Sequence, residues 1–259
     1  MNNTFNPQRF GLLLKRQWLE FGKIYLVSLL VALGVIIVFY GFALWKELTG
    51  ADRFTDRDLN FREPLFLIFG FIFISISTSN YFAHLGQKPK AIIDLLIPAS
   101  TFEKFLTGIF FTSILTYVSF ILLFYLTDLA FIAKLKGLYA DDLTNLEYFF
   151  PKNNPNVFLP LYIAPFFVTS LFLLGSIYFN KFHYIKTAIS VMIFSGILSA
   201  ILFKTGAFLF EGKIMIQEEN RNMNHLSQST AEWLGLLLLA VLTLIFWSIT
   251  YVRLKEKEV

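Results

Sequence analysis

Apolar residues gather in long runs along the chain, separated by short polar segments. Each run holds about 20 residues or more, enough for an α-helix that rises about 1.5 Å per residue to cross about 30 Å of hydrocarbon. The third run is the longest, so its helix can tilt or project beyond the bilayer. The pattern therefore predicts six membrane-spanning helices, at about 24–45, 64–86, 104–132, 157–179, 187–209 and 232–252.

The segment before the first run has a different pattern. In residues 5–22 the large apolar side chains recur at helical spacing, while charged side chains, Arg9 and Arg16 among them, gather on another face. A helix divided in this way lies in the membrane interface rather than across the bilayer. We therefore expect an amphipathic interfacial helix ahead of the first span.

Composition supports an all-α polytopic membrane protein. Of 259 residues, 56% are hydrophobic and only 15% are charged, whereas soluble domains usually carry about 25% charged residues. The first apolar run is too long for a cleavable signal peptide, and the loops are too short for a second domain. We expect residues 1–259 to form a single transmembrane domain. The lack of cysteine excludes disulfides and thiolate metal sites.

The distribution of basic residues predicts the orientation. The net charge is +4, which in a membrane protein reflects cytoplasmic helix ends rather than a nucleic-acid partner. Basic residues in the N-terminal segment, the 87–104 loop, the 180–186 loop and the C-terminal tail lie in short segments close to helix ends. The positive-inside rule applies to such segments, so both termini are expected in the cytoplasm.

The sequence lacks a recognisable nucleotide-binding, catalytic or metal-binding motif. The nearest string to a phosphate-binding loop runs from Gly206 to Ile214. It has one residue too many between its glycines, and Ile214 stands where Ser or Thr should hold magnesium. The histidines lack a metal-binding neighbourhood, and the spans contain almost no acidic residues of the kind that ion-driven transporters use. We expect no catalytic residue and no metal site in this chain.

Small polar side chains are the main polar content of the spans. Two readings stay open for them: helix packing with hydrogen bonds between helices, or the lining of a translocation path. At about 100° per residue, Ser75 and Ser79 share one face of span 2 while Ser77 looks elsewhere. The candidate path-lining residues are Ser75, Ser79, Asn80, Ser195 and Ser199.

The loop between spans 2 and 3 carries a short apolar ridge bracketed by Pro89 and Pro98. The prolines limit a helix to about 90–98, with Asp94 as its lone charge. Ser100 and Glu103 then form a capping box that opens span 3. The ridge either lies on the membrane surface or docks into a groove on a soluble partner.

The string from Leu95 to Leu106, LLIPASTFEKFL, resembles the LPxSxxEKFL segment of ABC-2 type transporter permeases from the Bacteroidetes, although Ile97 replaces the usual leucine before Pro98. The predicted layout, an amphipathic helix followed by six spans, is similar to the same family along the whole chain.

This resemblance implies the permease subunit of an ATP-binding-cassette transporter in a bacterial inner membrane. It implies an exporter of two permeases and two ATPase subunits, with ATP and magnesium bound by the ATPases and the path between the permeases. Segment 90–98 would be the coupling helix, 5–22 the connecting helix, and Lys204–Gly206 the start of a re-entrant outer element. The implied ATPase interface comprises Arg9, Arg16, Ile92, Asp94, Leu95, Leu96, Ile97, Pro98 and Glu103.

Two other classes of protein remain open on the sequence. A membrane scaffold could use the same helix to anchor a soluble partner without moving a substrate. An intramembrane enzyme is the other alternative. The sequence names no substrate.

Overall fold

The computed structural model is all-α in the part of the chain that it describes, residues 5–50, 59–83, 94, 96–139, 149, 159–210 and 225–257. Side chains are described there except at 159–162, 198, 202, 203, 205–210, 225–232 and 234. The helices with described bounds are α1 Pro7–Ala43, α2 Trp45–Leu48, α3 Arg62–Tyr81, α4 Thr101–Leu138, α5 Leu159–Tyr178, α6 His183–Phe210 and α7 His225–Lys257.

Five helical segments are long and apolar enough to cross a membrane. Their outer surfaces are apolar too: Phe42 is 85% exposed and Met192 is 72% exposed. Large apolar side chains in such positions are stable against lipid rather than water. The fold therefore supports a multi-pass membrane protein, with candidate spans Pro7–Ala43, Arg62–Tyr81, Thr101–Leu138, His183–Ile201 and Gly235–Lys257.

Helix α5 occupies the position of the predicted fourth span. Its described apolar part, Ile163–Tyr178, is shorter than the about 20 residues of a full crossing. The helix packs against α3, α6 and α7. A side chain at Gly175 would collide with Thr187 of α6, so glycine permits the close approach of these two helices. Helix α5 is thus an interior helix, and its complete crossing of the bilayer stays a prediction.

Helix α1 joins two elements that the sequence separates. The expected interfacial helix 5–22 and the expected span 24–45 form one helix of 37 residues. Asn6 caps its start by accepting a hydrogen bond from the Gln8 amide at 2.9 Å. No proline interrupts the junction, and Gly22 alone costs a helix only about 1 kcal/mol. At about 1.5 Å per residue the helix is about 55 Å long, so part of it lies outside the hydrocarbon.

Helix α6 also differs from its prediction. The family resemblance implied a re-entrant element that starts at Lys204–Gly206, but the backbone remains helical to Phe210. A single helical glycine is tolerated when nothing else ends the helix. Helix α3 ends at Tyr81, short of the predicted residue 86. Residues 84–86, like most of the predicted helix 90–98, lie outside the described part of the chain.

The start of α4 confirms the predicted capping box. The Ser100 hydroxyl accepts a hydrogen bond from the Glu103 amide at 3.2 Å, and the Glu103 carboxylate accepts one from the Ser100 amide at 2.9 Å. About two turns beyond Glu103, Phe110–Leu115 forms a π-helical segment before the α-helix resumes at Thr116. Such segments widen a helix by one residue per turn and are frequent at functional sites.

Aromatic rings hold α1, α3 and α4 together. Phe66 lies 5.0 Å, centroid to centroid, from Phe124, and Tyr40 lies 6.0 Å from the same ring. Phe120 contacts α3 so closely that a Cβ at Gly70 would stand 2.7 Å from its ring. These helices form a tightly packed unit on which the polar clusters described below are built.

Candidate functional site

One end of the bundle is organised around Glu103, and we call it the Glu103 end. The Glu103 side chain is fully buried. Its Oε1 accepts hydrogen bonds from Arg9 Nη2 at 2.8 Å, from Arg9 Nε at 3.2 Å and from the Asn6 amide at 2.9 Å. Oε2 accepts the hydrogen bond from the Ser100 amide, so both carboxylate oxygens of Glu103 are hydrogen-bonded to other residues of the chain. Glu103 therefore ties the start of α1 to the start of α4.

A second ion pair holds the segment before α4. Lys104 Nζ donates a hydrogen bond to the Asp94 carbonyl at 2.8 Å and lies 3.5 Å from Asp94 Oδ2. Backbone hydrogen bonds run from the Ile97 amide to the Asp94 carbonyl and from the Ala99 amide to the Ile97 carbonyl. Leu96, on this turn, is 77% exposed. The result is an apolar side chain presented to the exterior by a segment fixed to α4.

The structure separates the interface residues implied by the resemblance into three groups. Leu96 and Pro98 are exposed, while Asp94 and Ile97 are half-buried. Glu103 is enclosed within the chain, so any effect it has on a partner is indirect. Ile92 and Leu95 lie outside the described residues.

The two arginines of that set differ from one another. Arg9 pairs with the buried Glu103 and keeps 30% of its side chain exposed. Arg16 lies 3.7 Å from Glu20 on the surface of α1, with both side chains well exposed. Of these two arginines, only Arg9 therefore contributes to the ion pair at the Glu103 end.

The C-terminal helix reaches the same end. The Phe102 ring lies 6.2 Å from Phe5, ahead of α1, and 6.1 Å from Tyr251 near the end of α7. Phe105 adds a second ring contact to Tyr251 at 5.5 Å. The beginning of α1 and the end of α7 consequently lie on the same side of the bundle.

The predicted path-lining residues do not come together. Ser75 and Ser79 do share a face, but both are fully buried among the helices. The Ser75 hydroxyl donates to the Ile72 carbonyl at 3.0 Å, and the Ser79 hydroxyl has no partner in the described structure. This position favours the packing reading for both residues. Ser195 and Ser199 lie exposed on α6.

Asn80 instead faces a cavity between α1, α3 and α4, which we call the α1/α3/α4 cavity. Its volume is about 340 Å³. Ser77 lies beside Asn80 in the wall, although helical periodicity alone had set Ser77 apart from the serine pair. The lining is Trp18, Phe21, Gly22, Ile24, Tyr25, Ser28, Ile76, Ser77, Asn80, Tyr81, Phe111, Thr112 and Thr116.

A buried acid holds the opposite end of the bundle, which we call the Asp128 end. Asp128 Oδ1 accepts hydrogen bonds from the Tyr40 hydroxyl at 3.0 Å and from Arg62 Nη1 at 3.2 Å. Its Oδ2 accepts one from the Phe149 amide at 3.0 Å. The sequence placed Asp128 near the end of a span but gave no sign of its partners, which come from distant helices. Because the acid is fully satisfied, its role is to join α1, α3 and α4.

Within the described ranges no three histidine, aspartate or glutamate side chains group into a metal site. Comparison of the chain with protein-family models, curated proteins and solved structures gives no match. The helical architecture, with its long apolar helices, defines the chain as an all-α multi-pass membrane protein.

Proposed function

We propose that this chain is the permease subunit of an ATP-binding-cassette exporter, energised by a separate ATPase subunit. The observation that carries the proposal is the Leu96 turn. It exposes an apolar side chain while the Asp94–Lys104 ion pair fixes the same turn to α4. A soluble ATPase that covers Leu96 would bury apolar surface, which favours docking.

The Glu103 cluster supports the same function. A docking element transmits motion only if it is joined stiffly to the membrane helices. Breaking a buried ion pair that has several hydrogen bonds destabilises a protein strongly. Such a pair therefore holds the elements that it joins in a fixed relative position. Through Glu103 and Lys104, a displacement of the docked turn would reach α1 and α4 together.

The arrangement of the ends supports six spans. Phe102 contacts both Phe5 and Tyr251, so the chain enters and leaves the bundle on one side. An even number of crossings produces that arrangement, and α5 supplies the sixth crossing beside the five candidate spans. In the proposed orientation the Glu103 end faces the cytoplasm of a bacterial cell and both termini lie there.

The working assembly would contain two permeases and two ATPases. Exposed apolar faces on the candidate spans offer contacts for lipid and for a second permease. ATP and magnesium would bind to the ATPase subunits, and hydrolysis would occur there rather than in this chain.

The test is ATP-dependent uptake into inverted membrane vesicles that contain this chain and the ATPase subunit that copurifies with it from its own membrane. Labelled lipids, peptides and drugs serve as test substrates. The proposal expects accumulation of at least one class with ATP, and none when the ATPase carries a substitution in its magnesium site. Stable binding of the ATPase without uptake of any class would favour the scaffold.

A further inference from the structure

We propose that the α1/α3/α4 cavity is a binding site for an uncharged amphiphile, with a hydrogen-bonding head at Ser77 and Asn80 and an apolar chain along the aromatic wall. This proposal rests on the geometry of the cavity and does not depend on the proposed transport function.

Two unpaired polar side chains indicate the head of the ligand. Ser77 is half-buried and Asn80 is exposed, and both line the cavity. Neither side chain has a hydrogen-bond partner among the described residues. They lie on α3, one of the candidate spans. Where lipid rather than water covers this face of α3, polar groups without a partner are costly, so a complementary polar group in the cavity is favoured.

The rest of the lining indicates the chemical class. Among the described residues that line the cavity there is no aspartate, glutamate, lysine, arginine or histidine, so a charged head would lose its hydration without gaining a counter-ion there. Trp18, Phe21 and Phe111 provide apolar area instead. A volume of about 340 Å³ falls in the range of about 300–1,000 Å³ that is usual for small-molecule sites.

Access is lateral, from the side of the bundle. Trp18 and Ile76 are each 42% exposed and Ile24 is 71% exposed, so the edge of the cavity reaches the outer surface. An amphiphile dissolved in the bilayer could therefore enter without crossing the helix bundle.

The π-helical segment of α4 shapes the wall. Phe111 and Thr112 belong to this segment and line the cavity. At the end of this segment the Leu115 carbonyl accepts a hydrogen bond from the Tyr25 hydroxyl at 3.3 Å, which joins α1 to α4 at the edge of the cavity. The wall is thus fixed from two helices before any ligand binds.

The experiment uses two probes with the same photoactivatable, clickable acyl chain. One is a monoacylglycerol with an uncharged head, and the other is the free fatty acid with a carboxylate. The purified full chain in nanodiscs should be labelled saturably by the monoacylglycerol, with adducts on cavity-lining peptides. Labelling by the fatty acid should be at least fivefold weaker.

Two variants locate the site. Asn80→Leu keeps a similar side-chain size but removes the amide, and should lower labelling about five- to tenfold, the worth of about one hydrogen bond. Ser77→Phe fills the cavity and should abolish saturable labelling. Ser248→Leu is the matched control, because Ser248 is exposed on α7 and its hydroxyl already bonds the Leu244 carbonyl at 2.8 Å. Unfolding temperatures equal to that of the parent chain confirm that the variants are folded.

Mass spectrometry of the chain purified from its own membrane then distinguishes two sources of the same ligand chemistry. A neutral lipid that copurifies with the parent chain but not with Ser77→Phe identifies a resident lipid. Binding of the added probe alone identifies a site for an exogenous amphiphile, and both results support the proposal. Equal labelling of the parent chain and the two cavity variants, equal labelling by the fatty acid, or adducts only on the outer surface would overturn it. These readouts need no ATPase, so their failure is separate from failure of the proposed function.

Discussion

Arg9 and Glu103 are 94 residues apart in the sequence, yet two nitrogens of the guanidinium donate to Glu103 Oε1 at 2.8 and 3.2 Å. The carboxylate is fully buried, whereas the arginine is 30% exposed. The two partners therefore depend on the pair unequally. Without Glu103, the arginine can turn to water. Without Arg9, the carboxylate stays buried with its largest source of compensation removed.

This asymmetry gives the first prediction. Arg9→Ala should lower the free energy of unfolding by about 3 kcal/mol, since breaking a buried ion pair strands the remaining charge. Adding Glu103→Gln to it should recover part of the loss, because the amide carries no charge. Denaturant unfolding in detergent measures both variants. Arg16→Ala, at an exposed pair, is the control and should cost under about 1 kcal/mol. Similar losses for Arg9→Ala and Arg16→Ala would contradict the structural importance of Glu103.

The second prediction concerns the opposite end of the bundle. Asp128→Leu would leave Arg62 and the Tyr40 hydroxyl without their shared acceptor, so we expect a loss of about 3 kcal/mol. Tyr40→Phe removes a single hydrogen bond and should cost about 1 kcal/mol. Thermal unfolding followed by size-exclusion chromatography gives the order of stability. Glu63→Gln, on the exposed start of α3, should behave as the parent chain. Parent-like stability of Asp128→Leu would mean that the cluster does not form.

The third prediction separates packing from path lining. Ser75→Leu and Ser79→Leu should each destabilise the fold by about 1–3 kcal/mol, because both side chains are fully buried in a helix contact that has no room for a larger group. Ser199→Leu, on the exposed face of α6, should change stability by less than about 0.5 kcal/mol. The same unfolding measurement applies. If the two α3 variants unfold like the parent chain but block uptake, these serines face a path after all.

Much of the fold could be predicted from the sequence because its signals are local. An apolar run long enough to span needs no knowledge of its neighbours, and five of the predicted spans correspond to candidate membrane helices. The capping box at Ser100 and Glu103 was likewise predicted from a four-residue pattern and confirmed. Two of the boundary differences share one cause, since neither Gly22 nor Gly206 interrupts its helix, whereas the early end of α3 at Tyr81 is a separate difference.

The candidate site was harder to predict because it depends on which helices meet. Periodicity put Ser75 and Ser79 on one face, but only the folded structure shows that both side chains are buried among the helices. The same holds for Ser77 and Asn80, whose cavity exists because α1 and the π-helical segment lie opposite them. For Asp128, the sequence supplied the acid but not its partners Tyr40 and Arg62.

The fourth prediction addresses orientation. Single cysteines in this cysteine-free chain should be labelled by a membrane-impermeant maleimide at Thr55, Asn145 and Asn220 in cells with a permeabilised outer membrane. A cysteine at Ser100 or Val259 should react only after the inner membrane is opened. The reason is that basic residues lie near the helix ends on the side proposed to be cytoplasmic. Protection of position 145 together with reaction at position 100 in intact inner membranes would reverse the proposed topology.

The last prediction tests the docking turn, on which the proposed function rests. Burial of a leucine side chain contributes roughly 1.5–3 kcal/mol, and an unpaired charge in its place costs more. Leu95→Asp with Leu96→Asp should therefore weaken ATPase binding at least tenfold, while the spans still insert because they are unchanged. Leu138→Asp serves as the control: Leu138 is also exposed, at 53%, but at the other end of α4.

The most direct measurement is the amount of ATPase that copurifies with each variant of this chain in mild detergent, together with the ATP hydrolysis rate of the purified complex. We expect the Leu95→Asp, Leu96→Asp double variant to lose most of the ATPase or to hydrolyse ATP without transport, and Leu138→Asp to retain the parent amount and the parent coupling. A double variant that retains a full complement of ATPase and the coupled turnover of the parent chain would contradict the central claim.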